Sequence, residues 1–151
     1  YIGELNKPKL FHELLNDVDR KLSKYDKSDY QIMAMLWVQG ESDSGQKWGP
    51  LPSDTYAENL KNLINKSRAA FKYPEMPFLI MQVGSKKIGQ AMKSVSNELK
   101  NVIFIPQNMD RSSYNFLSRR EDKIHYNYIG MKKISNLFFN NFNSINNKYN
   151  Q

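Results

Sequence analysis

The stretch YQIMAMLWVQGESD, Tyr30 to Asp43, decides how this chain is to be read. From Ile32 to Val38 every residue is apolar, and the run stops two residues later at Gly40. A strand with one wet face would alternate, so an unbroken run of this kind predicts a central strand with both faces covered. Such a strand delivers Gln39, Gly40, Glu41 and Asp43 to the loop at its C-terminal end. FLIMQV, Phe78 to Val83, repeats the pattern and stops at Gly84, and NVIFIPQ supplies a third short strand closed by Pro106.

Helical patterns separate these runs. Leu10, Phe11, Leu14, Leu15, Val18 and Leu22 recur at helical spacing within residues 5–22 and give an amphipathic helix for one face of the sheet. Tyr56, Leu60, Leu63, Ile64 and Phe71 mark a second helix, with Ser53 or Asp54 as its cap. Ile88, Met92, Val95 and Leu99 mark a third, and Ile129, Ile134, Leu137, Phe138 and Phe142 a last one. The order helix, strand, helix, strand, helix, strand, loop, helix predicts an α/β three-layer sandwich with a mostly parallel central sheet. It occupies residues 1–142 as a single domain, and the Asn-rich stretch 143–151 reads as a polar tail.

At 151 residues the chain has room for one hydrophobic core. Its net charge of +7 comes from 17 Lys and 5 Arg spread through the helical segments, which describes a solvated basic surface. A nucleic-acid-binding domain rests on that charge alone, without a recognisable motif or interleaved aromatics. With no cysteine there is no disulfide, thiol nucleophile or thiolate metal site. No apolar run approaches the length of a membrane span.

Chemistry concentrates in two places. His125 lies in REDKIHYNYIG, just before the last helix, with Asp122 three residues ahead. At that spacing a carboxylate can hold one imidazole nitrogen while the other faces outward to take a proton, although a capping Asp and a surface His fit the same pattern. His12 falls inside the first amphipathic helix and reads as structural or solvent-facing. Gln39 follows a buried run, where an unpaired amide costs about 1–3 kcal/mol, and an amide at a strand end is well suited to donate to a developing oxyanion. Glu41 and Asp43 with one distant His make too poor a ligand set for a metal, and no cofactor is expected.

Taken together, WVQGESD at 37–43, PFLIMQV at 77–83, Gln90 in IGQAM and DKIHYNYIG at 122–130 resemble the sialate O-acetylesterase and acetylxylan esterase branch of the SGNH hydrolase superfamily. That branch carries W-x-Q-G-E-x-D, usually with His before the Gln, where this chain has Val38. Its second block is D-x-x-H followed by a Gly, matched by Asp122, His125 and Gly130. The resemblance implies a serine hydrolase that deacetylates an O-acetylated glycan. His125 becomes base and acid, Asp122 its orienting partner, Gln39 an oxyanion donor and Glu41 a brace for the loop, with Gly40 and Asp43 shaping it. A glycan substrate implies an extracellular or surface setting.

The family's G-Q-S-N block, which carries the nucleophile, has no counterpart here, and Ser42, Ser44 and Ser85 stand where the family does not attack. The expectation is therefore the C-terminal portion of an SGNH-type domain. An upstream segment or second chain would complete the sheet and supply the serine, and this chain would be inactive alone. The alternative is a non-catalytic carbohydrate-binding or structural module built on the same fold.

Overall fold

The computed structural model describes residues 10–45, 49–108, 117–121 and 125–149. Its centre is strand β2, Phe78–Met81, whose four side chains are all fully buried. Successive side chains of a strand point to opposite faces, so four consecutive buried residues require cover on both. Strand β1, Met35–Trp37, pairs with β2 in parallel, Met35 opposite Phe78 and Trp37 opposite Ile80. Strand β3, Val102–Ile105, pairs in parallel on the other side, Phe78 opposite Val102 and Met81 opposite Ile105. The order is β1-β2-β3.

The helices are α1 (Leu10–Leu22), a short α2 (Leu51–Asp54), α3 (Tyr56–Ala70), α4 (Lys86–Glu98) and α5 (Tyr128–Tyr149). The two crossovers joining the parallel strands put α3 and α4 side by side, and α5 packs on β2 and β3. Helix α4 buries Ile88, Met92 and Val95, one stripe of its surface, and Ser85 caps it by accepting from the Ile88 N–H. Helix α3 buries Tyr56, Leu60 and Ile64. Its Arg68 reaches inward, donating from Nε to the Met76 carbonyl (3.1 Å) and from Nη2 to the Lys100 carbonyl (2.7 Å). The guanidinium thereby satisfies carbonyls that lead into β2 and β3.

The three-layer α/β sandwich with a parallel sheet is the architecture expected from the sequence, with local differences. β1 is an edge strand of three residues among the described residues, not a central strand beginning near Tyr30, because β2 offers register partners only from Phe78 onward. Leu36 stays 52% exposed and Val38 39%. Helix α1 buries none of its residues, so its apolar stripe lies outside the core. Neither Ser53 nor Asp54 caps α3, since both lie in α2, and the Thr55 hydroxyl donates back to the Leu51 carbonyl instead. Helix α5 continues past Phe142, and Ile145 is still buried against the core.

Candidate active site

Parallel strands end together, and the loops leaving their C-terminal ends share one side of the sheet. Gln39 to Gly45 leave β1 there. The turn is Gly40, at φ +151°, where a Cβ would sit 2.8 Å from Ile88 Cγ2 and 3.2 Å from the Tyr56 hydroxyl. Only glycine fits between the strand end and α4. A single turn of 3-10 helix, Ser42–Ser44, follows.

Tyr56 holds this loop in place. Its hydroxyl donates to the Gln39 carbonyl (2.7 Å) and accepts from Trp37 Nε1 (3.3 Å). Burial, with the charges of Asp43 and Glu41 beyond it, pushes the phenol far above its ordinary range despite the indole donor. Ser44 makes the second tie, donating to the Gly40 carbonyl (2.8 Å) and accepting from the Ser85 N–H (2.7 Å). Ser44 and Ser85 thus have structural work in the loop and at the head of α4. The Gln39 amide is half-buried and donates one N–H to Asp43 Oδ2 (2.6 Å), which orients it. Gln90 faces solvent on α4.

The second block enters as a short hairpin arm. Arg119 and Tyr126 form an antiparallel bridge, with the Arg120 N–H donating to the His125 carbonyl (2.8 Å) and the Asn127 N–H to the Ser118 carbonyl (3.2 Å). Asn127 then caps α5: its Oδ1 accepts from the Gly130 N–H (3.0 Å), while Nδ2 donates to Ser118 Oγ (2.7 Å). The arm and the head of α5 are one hydrogen-bonded unit. His125 is exposed within it, and Asp122 lies outside the described residues. His12 is also exposed, on α1.

Tyr126 is where the two blocks meet. Burial raises its phenol, Arg119 opposes that rise, and the carboxylate of Glu41, from the β1 loop, adds to it. The Arg119 guanidinium stands 5.3 Å from the ring centre. The Tyr126 hydroxyl is buried, and among the described residues no group, Arg119 included, meets it with full hydrogen-bond geometry. The charge of Glu41 is thus felt at Tyr126, some 85 positions away in sequence. Tyr56 and Tyr126 were legible only as apolar-stripe or loop residues; an aromatic with a polar tip beside each motif was the available signal.

The same substitution should act in opposite directions at these two tyrosines. Tyr56→Phe leaves the Gln39 carbonyl and the Trp37 N–H without their partner and should cost about 1–3 kcal/mol, whereas Tyr126→Phe removes an unmatched buried hydroxyl and should be neutral or stabilising by up to about 1 kcal/mol. Urea unfolding at neutral pH measures both. Because each folded phenol titrates above the unfolded value near 10, the associated stability is complete below about pH 10 and falls as pH rises beyond it. Tyr56→Phe should flatten that alkaline fall, and an unchanged profile would contradict the burial assigned to Tyr56.

A family model described as carbohydrate esterase, sialic acid-specific acetylesterase, matches residues 3–144. No curated protein matches the chain. In fold the chain is similar to a protein from Arabidopsis thaliana whose X-ray structure was determined at 1.6 Å resolution, with 19% sequence identity and a TM-score of 0.70. The match covers 92% of this chain and 54% of that one, so the chain spans about half the length of that relative.

Proposed function

The chain belongs to the carbohydrate esterase family of sialic acid-specific acetylesterases, and from this we propose that it forms the histidine-bearing half of a site that removes acetyl groups from the hydroxyls of an acidic glycan. The observation that carries the proposal is the family match over residues 3–144, which spans both the Gln39 loop and the His125 arm; the effect of the Glu41 charge on the Tyr126 phenol supports a shared end of the sheet for the two. His125 takes the proton of a serine hydroxyl as its oxygen attacks the acetyl carbonyl carbon, then gives that proton to the departing sugar oxygen. Water, activated by the same imidazole, hydrolyses the acetyl-serine. The second N–H of Gln39 donates to the oxyanion, Glu41 braces the loop, and Asp122 orients the imidazole.

The serine comes from a polypeptide segment that pairs with β1. The outer edge of β1 has no strand partner among the described residues, and Leu36, Val38 and Met33 are exposed along it. Open apolar edges of this kind receive strands. Ser44 and Ser85, committed to the loop and to the α4 cap, favour a second reading in which the chain alone holds a glycan without cleaving it.

The test is acetate release from para-nitrophenyl acetate and from O-acetylated sialic acid, with the chain alone and with a serine-bearing strand segment of a family member fused ahead of it. Release only by the fusion supports the proposal. A correctly folded fusion that releases no acetate from either ester overturns the catalytic reading and leaves the binding one.

A further inference from the structure

The opposite end of the sheet carries a cleft that the ester chemistry does not use. It is open, about 400 Å³ in volume, and lined by Tyr30, Gln31, Ile32, Phe71 and Tyr73. Tyr30 to Ile32 precede β1 and Phe71 to Tyr73 precede β2, so the cleft lies beside the N-terminal ends of the strands. We propose that it is a second carbohydrate site, which grips one pyranose ring of a glycan away from the ester-cleaving end. The proposal takes only the carbohydrate class from the reading above; it shares no residue with the catalytic set.

The lining has the chemistry a sugar ring requires. A pyranose presents C–H faces that pack on aromatic rings, while its equatorial hydroxyls need donors and acceptors at the rim. Here Tyr30, Phe71 and Tyr73 supply three half-buried rings, and the exposed Gln31 amide adds both a donor and an acceptor. Aromatic side chains with a polar group at the rim are the usual makeup of a small-ligand site.

Two of the rings are held by backbone structure. Helix α3 ends with the Tyr73 N–H donating to the Arg68 carbonyl (3.0 Å) and the Lys72 N–H to the Ala69 carbonyl (3.1 Å), the paired bonds of a Schellman C-cap. The Met76 N–H then donates to the Tyr73 carbonyl (3.0 Å). Lys72 occupies the left-handed position, φ 52°, where glycine is the usual residue.

The experiment is an amide NMR titration of the chain with N-acetylneuraminic acid and, separately, glucose. Saturable shifts at Tyr30 to Ile32 and Phe71 to Tyr73 are expected. Tyr73→Ala and Phe71→Leu, the second retaining apolar bulk without a flat face, should each weaken binding at least about fivefold. His125→Ala should leave it unchanged. The inference is overturned if those residues do not shift with either sugar, or if they shift with protein concentration in the absence of sugar, which would make the cleft a contact between copies. Shifts at 39–44 and 118–127 report on the proposed catalytic end independently, so either site can fail without the other.

Discussion

His125→Ala in the acetate-releasing fusion is expected to lower kcat/KM by about a thousandfold, the range observed when a positioned general base is removed. That loss corresponds to about 4 kcal/mol of transition-state stabilisation. The imidazole is exposed, and the backbone of His125, not its ring, makes the hydrogen bond to Arg120. Thermal or urea unfolding of the same variant is the second readout, which tells a loss of chemistry from a loss of fold. The separation of the two readouts gives the test its force. His12→Ala supplies the control, since that residue is exposed on a helix with no buried residue and should leave both quantities unchanged. A loss in kcat/KM below about tenfold for His125→Ala would remove His125 from the chemistry, whatever the fold.

The parts of the fold that were readable from sequence are those that water dictates. Phe78 to Met81 could be recognised as a covered strand because no polar side chain interrupts it, and each of the four is fully buried. The α4 stripe of Ile88, Met92 and Val95 was readable for the same reason. Length and position of β1 were not, because pairing is a property of two strands: Tyr30 to Ala34 are apolar enough to be strand but have no register partner. Neither was the role of Tyr56, whose acceptor lies 17 residues back in sequence and across the helix–strand layer. Periodicity identifies which face is buried, not which hydroxyl on it carries a hydrogen bond. The two motifs were visible as residue types at fixed spacing. Their meeting at Glu41 and Tyr126 depended on a crossover geometry that spacing does not contain.

Gly130 tests whether the His125 arm is held as tightly as this geometry requires. A Cβ at Gly130 would fall on the carbonyl oxygen of Ser118, inside any tolerable non-bonded distance, and the obstacle is backbone that cannot rotate away. That carbonyl also accepts from the Asn127 N–H, so moving it disturbs the α5 cap. Ala is the better helix former by about 1 kcal/mol. Overpacking against rigid backbone costs about 3 kcal/mol. The net expectation for Gly130→Ala is thus a loss of about 2 kcal/mol in urea unfolding, the steric term outweighing propensity. Gly45→Ala is the matched control: Gly45 is exposed at φ −79°, and its Cβ would meet only the Ser42 carbonyl oxygen at an ordinary 3.6 Å. Because Ser118, Asn127 and Gly130 are tied to the same arm as His125, relief of the clash must swing that arm relative to the Gln39 loop. In the fusion, Gly130→Ala should therefore also reduce kcat, with the acetate-releasing fraction still folded below its lowered melting temperature. If Gly130→Ala is as stable and as active as the parent, the arm does not press against α5 at this point, and the proposed role of His125 loses its mechanical support.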